Sequence, residues 1–293
     1  MAQFWQQVVS GLADGGIYAA LALAIVLIYR ATGIVSFAHG ELGTFTTFVC
    51  WWLVVQHGFP YWPAAGLTLV AAFVLGLLVE RTVMRPFERQ PQVTGSIVTI
   101  GLFIAFNALT GFLWGTEQKT LRPPFPTRAI RIGGVALSIE DLGVIGVSLA
   151  IVGLLALFFR YTRWGLAMRA AALQPESSRL HGIRVGWMLA LGCGLSTVLA
   201  AVAGLETASP SFDPNMMVTV LIYAFAAAVL GGLESPLGAV VGGLVLGVAL
   251  NLLGTYVGFV SSELRLPVAL ALLFCVLLVK PTGLFGRVGV RRV

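Results

Sequence analysis

A few polar side chains lie within or beside long apolar stretches of this sequence, where a polar group is costly to bury. An ionisable group in such a place is a candidate for binding or gating a polar solute. The candidates for a substrate pathway are Ser36, His39, Glu41, Asn107, Glu234 and Asn251. Structural alternatives stay open, because Asn107 and Asn251 can bond neighbouring helices and Glu41 and Glu234 can cap helix starts.

Motifs for catalysis and for phosphate binding do not occur in the sequence. There is no GxxxxGK[ST] loop to cradle a nucleotide, so any ATP must be hydrolysed on another chain. The three histidines and three cysteines are scattered singly, which gives no metal-binding spacing and no disulfide framework. We therefore expect a chain that is not an enzyme and carries no cofactor of its own.

The composition excludes a soluble protein. Apolar residues make up 58% of the 293 positions and charged residues only 10%, whereas soluble domains carry about 25% charged residues. A soluble enzyme and a nucleic-acid-binding protein are excluded together, although the net charge is +6. The chain is expected to lie in a lipid bilayer, and the lack of Lys or Arg before Arg30 argues against a cleaved secretory signal.

Long apolar runs predict an all-α polytopic membrane protein with eight or nine transmembrane helices and discontinuous segments. The runs at 42–57 and 216–230 are short, so one of them is a candidate half-helix. The nine runs cover 11–30, 42–57, 62–79, 93–115, 142–159, 188–205, 216–230, 237–258 and 264–280.

Basic residues orient the chain, because Lys and Arg collect on the cytoplasmic side of membrane proteins. An N-terminus outside and a C-terminus in the cytoplasm put thirteen of the eighteen Lys and Arg residues inside. The loop 116–141 then faces outward, and its Pro123, Pro124 and Pro126 exclude a helix there.

Two interruptions, ATGIVSFAHGELG (31–43) and GGLESPLG (231–238), separate apolar runs in the two halves of the chain. Irregular backbone survives at membrane depth only where protein or a water-filled cavity covers it. Such breaks border the substrate route in many transporters, and ordinary tight turns at the membrane surface are the alternative. Gly pairs four residues apart, such as Gly238/Gly242 and Gly243/Gly247, predict closely packed helices.

The connection 160–187 is the longest polar segment on the predicted cytoplasmic side. Its composition predicts one helix from Arg163 to Leu173 and a second that Pro175 opens and Gly182 closes. An ordered, arginine-rich helical segment is typical of a docking surface for a partner protein or of a contact with anionic lipid headgroups.

Four motifs in register identify a family resemblance. They are SFAHGELG (36–43), GLAMRAAALQPESSRLHGI (165–183), AFAAAVLGGLESPLGAVVGGLVLG (224–247) and KPTGLFG (280–286). The chain resembles the Liv-type inner-membrane permeases of branched-chain amino acid ABC importers. The resemblance implies one permease domain over 1–293 that pairs with a second permease, identical or paralogous. It also implies two cytoplasmic ABC ATPases and an extracytoplasmic solute-binding protein as partners.

The resemblance further implies ATP-driven import, by alternating access, of branched-chain amino acids or a related small polar solute such as an amide or urea. It places the contact with the ATPase in the connection 160–187. The candidate coupling residues are Arg163, Gly165, Arg169, Pro175, Glu176, Arg179, Leu180, Gly182 and Arg184. A transporter or channel that works alone is the alternative function, while a membrane-embedded enzyme lacks any nucleophile or metal constellation.

Overall fold

The structure is a computed structural model that describes residues 2–87, 90–126, 128–132, 135–257, 264–280 and 283–285. Helices dominate these ranges. They are α1 (Ala2–Thr32), α2 (Ala38–Trp51), α3 (Tyr61–Val79), α4 (Gln92–Trp114), α5 (Ile139–Tyr161), α6 (Arg163–Leu173), α7 (Pro175–Leu180), α8 (Val185–Thr207), α9 (Met216–Gly231), α10 (Pro236–Tyr256) and α11 (Arg265–Val279). Single π-helical turns follow α2 and α3, at Trp52–Gln56 and Glu80–Met84.

Six helices of the described chain are long and apolar enough to cross a membrane: α1, α3, α4, α5, α8 and α10. The helices α9 and α11 are apolar but shorter. The all-helical membrane architecture predicted from the sequence is therefore confirmed, whereas the count of eight or nine crossings and the orientation of the termini stay predictions. Helix α2 and the π-helical turn that continues it to Gln56 together cover 19 residues, about 28 Å at the α-helical rise, which is close to the hydrocarbon thickness of about 30 Å.

Helix α1 is the centre of the bundle. It packs against α5, α8, α9 and α10, and every side chain from Ala19 to Ile28 is buried. A helix that is apolar on all sides is stable only when neighbours enclose it. The other apolar helices are arranged around this one, and α4 and α5 lie largely exposed at the periphery.

Glycines set the distance between α1 and α10. A Cβ atom added at Gly243 would lie 2.6 Å from Cα of Ala19, and one at Gly15 would lie 2.9 Å from Cα of Leu244. Gly238 and Gly242 similarly face the backbone of α9. The close packing predicted for the pairs 238/242 and 243/247 is confirmed.

The predicted absence of helix in 116–141 is also confirmed for the described residues before α5. Here the backbone forms three short strands, β1 (Lys119–Thr120), β2 (Ala129–Ile132) and β3 (Val135–Ser138). Strand β1 pairs antiparallel with β4 (Ser211–Phe212), and β2 pairs with β3. Ser138 then caps α5 by accepting a hydrogen bond from the backbone N–H of Glu140, so the helix begins before the predicted residue 142.

Both predicted breaks are shorter than the sequence indicated. Residues 31–32 and 38–43 are helical, which leaves 33–37 between α1 and α2. Only 232–235 lie between α9 and α10. The extents 31–43 and 231–238 were wrong because Gly40, Gly43 and Gly238, which weaken a helix prediction, lie within α2 and α10 in contact with neighbouring helices.

The two helices predicted within 160–187 are confirmed at the predicted residues. Thr162 caps α6 by accepting a hydrogen bond from the backbone N–H of Gly165. Pro175 is the first residue of α7, and Gly182 follows it with a φ of +79°, a left-handed conformation that glycine adopts without strain. Capping residues in the local sequence therefore suffice to predict this pair of helices.

The packing of α1 on α10 gives a stability prediction. Gly243→Ala places a methyl group against the backbone of Ala19, so the free energy of unfolding should fall by about 1–3 kcal/mol. Gly153→Ala on α5 is the matched control, because no described atom outside the backbone of its own helix lies within 4 Å of the added Cβ. Thermal unfolding of the detergent-purified variants measures the difference, and equal midpoints for the two variants would contradict the proposed contact.

Candidate functional site

The segment 33–37 enters the interior of the bundle. Its neighbour Thr99 lies in α4 about 10 Å from the start of that helix, at 1.5 Å per residue. The backbone N–H of Phe37 donates to Thr99 Oγ1 at 3.3 Å, and that of Ile34 donates to Thr32 Oγ1 at 3.1 Å. Threonine hydroxyls therefore satisfy backbone groups of a non-helical segment where membrane lipid offers no partner.

Ser36, His39 and Ser196 form a buried hydrogen-bonded chain between α2 and α8. His39 Nδ1 lies 2.8 Å from Ser36 Oγ, and His39 Nε2 lies 2.8 Å from Ser196 Oγ. Ser196 Oγ donates its one proton to the carbonyl of Cys193 at 3.0 Å. It must therefore accept from His39 Nε2–H, which leaves Nδ1 to accept from Ser36. The network thus selects one neutral tautomer of the imidazole.

Glu41 lies two residues after His39, in the first turn of α2, and its side chain is fully buried. Oε2 accepts a hydrogen bond of 3.3 Å from Asn107 Nδ2 on α4. Oε1 has no partner among the described residues. A buried carboxylate oxygen without a hydrogen-bond donor is costly. The start of α2 therefore holds an unsatisfied hydrogen-bond acceptor in the interior of the bundle.

The amide of Asn107 joins three elements. Besides Glu41, its Nδ2 donates to the carbonyl of Pro214 at 3.2 Å and to Asn215 Oδ1 at 3.1 Å. Three acceptors share the two protons of Nδ2, and the carbonyl of Pro214 in particular favours the nitrogen at this end of the amide, because an oxygen there would face another acceptor. Asn107 thereby connects α2 to the segment that precedes α9.

Asn251 lies in a different cluster. Its Nδ2 donates to Asp14 Oδ2 at 2.7 Å and so connects α10 with α1. Asp141 accepts a bond of 2.8 Å from Ser10, one helical turn away from Asp14 on α1. The hydrogen bonding between helices that the sequence suggested for both asparagines is present, at two separate places.

Glu234 does not join either cluster, because its side chain is exposed in the turn between α9 and α10. Ser235 caps α10 by accepting from the N–H of Gly238 at 3.0 Å. The backbone N–H groups of Leu284 and Phe285 donate to the carbonyls of Leu230 and Gly231 at 2.8 and 3.1 Å. These bonds satisfy the end of α9, which favours the tight-turn interpretation of the second break.

Sequence reasoning missed several of these partners. Ser196, Thr99 and Asp14 lie inside apolar runs without any motif, and Glu206, which contacts Ser148 Oγ at 3.0 Å with each carboxylate oxygen, lies just beyond one. Asp14 could have been identified from the sequence as a candidate, since a carboxylate within a candidate membrane span is itself unusual. Ser196 and Thr99 could not be identified in this way, because Ser and Thr are ordinary residues of membrane helices.

The predicted coupling residues separate into two groups. Leu180 is 88% exposed at the end of α7, and four charged side chains of the segment 160–187 are also exposed: Arg163, Glu176, Arg179 and Arg184. Gly165 is buried instead, because a Cβ there would lie 2.5 Å from the carbonyl oxygen of Phe158. Arg169 lines a cavity beneath α6 rather than lying on the exposed side of the module.

The fold and the site define a multi-pass membrane protein, in which membrane-length helices enclose buried polar networks and the helical pair α6–α7 packs against α1, α5 and α8. A family model described as the permease component of branched-chain amino acid transport systems matches residues 7–277. The chain belongs to that family.

Individual relatives agree with this result. The chain is 32% identical to the high-affinity branched-chain amino acid transport system permease protein LivH of Salmonella typhimurium, over 99% of this chain and 98% of the relative. It is 31% identical to the corresponding protein BraD of Pseudomonas aeruginosa, with the same coverage. Among solved structures, PsaBC from Streptococcus pneumoniae in complex with Fab matches with a TM-score of 0.50 and 14% identity, over 93% of this chain and 91% of that chain. The last match concerns the fold alone.

The contact between Glu41 and Asn107 predicts thermodynamic coupling. Asn107→Leu leaves both oxygens of Glu41 without a donor, so it should destabilise the protein by about 1–3 kcal/mol. Combining it with Glu41→Leu should recover part of that loss, giving a coupling of about 0.5–3 kcal/mol in a double-mutant cycle of unfolding. Glu41→Leu with Asn251→Leu is the control cycle, because these two side chains share no partner. Additive effects in the first cycle would show that the contact between Glu41 and Asn107 contributes no coupling free energy to unfolding.

Proposed function

We propose that the chain is the transmembrane permease subunit of an ATP-driven ABC importer in the inner membrane. Its solute is a branched-chain amino acid or a related small polar molecule, as the names of its relatives suggest. The observation that carries the coupling to an ATPase is the exposed α6–α7 module, with Leu180 at its tip. Leu180 is 88% exposed and lies close in sequence to Arg179 and Arg184, and an exposed apolar side chain flanked by arginines is suited to contact a partner protein.

The coupling module is rigidly connected to the bundle. Helix α6 packs against α1, α5 and α8, and its Met168 and Ala171 share a buried cluster with Val185, Met188 and Leu189. A rigid module of this kind transmits a displacement because packed helices move as units rather than deforming continuously. Binding of an ATPase at α7 is therefore expected to shift α8.

Helix α8 provides the physical route from the module to the interior. Its first turn carries part of the buried cluster with α6, and its middle carries Ser196, whose hydroxyl contacts His39 at 2.8 Å. His39 lies at the interior start of α2, and Gly43 of α2 packs against Ala200 of α8. Movement of α8 thus bears directly on α2, which makes α2 the proposed moving element.

The interior start of α2 is the proposed border of the solute path. Ser36, His39, Glu41 and Asn107 gather there, whereas Glu234 and Asn251 lie elsewhere. Polar groups in the interior of a membrane protein usually face a solute route, and the buried, unpaired Oε1 of Glu41 fits a site whose partner enters during transport. Alternating access then switches the exposure of this region between the two sides of the membrane.

The importer assembly follows from the same proposal. A second permease, identical or paralogous, would complete the membrane part, with two cytoplasmic ABC ATPases and an extracytoplasmic solute-binding protein. ATP and Mg²⁺ would be bound by the ATPases. A transporter or channel that works alone is not favoured by the family membership, and dependence of uptake on an ATPase distinguishes the two functions.

Leu180→Asp tests the proposed docking. A carboxylate at the anchor should reduce co-purification of the ATPase and ATP-driven uptake by at least about tenfold, because an apolar anchor at an interface contributes about 2 kcal/mol or more. Uptake in vesicles and co-purification of the ATPase measure the effect.

Ser177→Asp is the matched control, because it adds the same charge to an exposed position of α7 without removing the anchor. This variant should retain most of the association. Normal association and uptake with Leu180→Asp, or equal loss with Ser177→Asp, would refute docking through Leu180.

A further inference from the structure

A cavity of about 550 Å³ lies beside the coupling module and has no part in the proposed transport path. It is enclosed by α1, α5, α6 and the start of α10. Its walls are apolar apart from three arginines, Arg30, Arg160 and Arg169. These arginines come from three different helices, so their meeting is a result of the tertiary fold.

The cavity has a polar end and an apolar end. Arg30 lies near the end of α1 and Arg160 near the end of α5. Leu23 and Val152, which also line the cavity, precede these arginines by about 10 and 12 Å along their helices. The arginines therefore stand where the apolar helices end, and the apolar walls extend into the depth of the membrane.

One of the three arginines has an unsatisfied hydrogen-bond donor. Arg169 Nε is buried without a hydrogen-bond partner among the described residues. Arg30 and Arg169 are close enough to repel each other, and Glu234 attracts Arg30 from the turn before α10. Guanidinium groups bind phosphate oxygens through paired hydrogen bonds, so an anionic phosphate group between Arg30 and Arg169 would satisfy both.

The cavity is open towards lipid. Almost no residue in the apolar central part of α5 is fully buried by the rest of the chain. Leu237 of α10, which also lines the cavity, is 69% exposed. An acyl chain in the bilayer can enter between these helices, whereas a soluble phosphate would leave the apolar part of the cavity unfilled.

We propose that this cavity binds one anionic phospholipid, with its phosphate on Arg30 and Arg169, Arg160 at its edge, and an acyl chain along α1 and α5. The bound lipid connects α6 to α1 and so supports the coupling module. Of the arginines in or near the module, Arg169 then serves the lipid, while Arg163, Arg179 and Arg184 remain on the surface proposed for the ATPase.

Native mass spectrometry of the full-length purified chain tests this proposal. The detergent-solubilised protein is supplied with equal amounts of phosphatidylglycerol and phosphatidylcholine that carry identical acyl chains. We expect wild type to retain phosphatidylglycerol preferentially. The double variant Arg30→Gln/Arg169→Gln should lower its occupancy about tenfold or more, since each arginine near a phosphate contributes about fivefold.

Two further variants separate the cavity from the surface. Arg163→Gln removes one exposed charge from the same helix and should leave the lipid preference intact. Ala156→Trp fills the cavity without changing its charge and should abolish retention, so the proposal stays testable even if the double variant fails to fold. Equal retention of both lipids by wild type, loss with Arg163→Gln, or retention by Ala156→Trp would overturn it. Native mass spectra that show dimers of the chain and no lipid preference would also overturn the proposal, because a second copy of the chain would then cover the cavity.

Discussion

The constraint on which the structure depends is that a non-helical backbone, residues 33–37, runs inside an apolar bundle. Every N–H and C=O in such a segment needs a partner that lipid does not supply. Thr32 and Thr99 provide partners, and the chain can then start α2 within the bundle instead of at its surface. Because α2 starts there, Ser36, His39 and Glu41 are buried, and α8 and α4 must provide polar partners for His39 and Glu41. The glycines that bring α10 onto α1 help to keep the surrounding helices close enough to exclude lipid.

Two well-packed places in this fold each contain a group whose need for a hydrogen-bond partner or for burial is not met by the described residues. In the interior, Ser36, His39 and Ser196 satisfy one another, while one oxygen of Glu41 has no partner. At the helix ends, the module α6–α7 is capped and well packed, while Leu180 is exposed and Arg169 Nε lacks a partner. Natural proteins tolerate such costs mainly where a ligand or partner removes them. Helix α8 contacts both places, so a ligand in the interior and a partner at the module can influence each other through one element.

The sequence predicted the parts of this fold that depend on local signals. Pro175 and Gly182 bracketed α7, Arg163 to Leu173 proved to be α6, and the glycine spacing of α10 marked a close contact. The start of α2 was predicted too late, at residue 42, because Ala38–Glu41 contain polar and small residues, and the half-helix considered for the run 42–57 stays a prediction. Pairings across the bundle could not be predicted: the contacts of His39 with Ser196 and of Asn107 with Glu41 join residues 157 and 66 positions apart. Such partners are fixed by the packing of α2, which has no signature in the local sequence.

The central claim is that the interior start of α2 borders the solute path and changes its exposure during transport. Accessibility of Ser36→Cys to a small water-soluble thiol reagent tests it most directly, in a chain whose Cys50, Cys193 and Cys275 are replaced. The reaction rate is measured in the assembled importer without nucleotide and in its ATP-trapped state, with Ala24→Cys in the core of α1 as the buried control. The account predicts that the cysteine at position 36 reacts several times faster in one state than in the other, while the control reacts in neither. Failure of position 36 to react in both states, as slowly as the control, would contradict it.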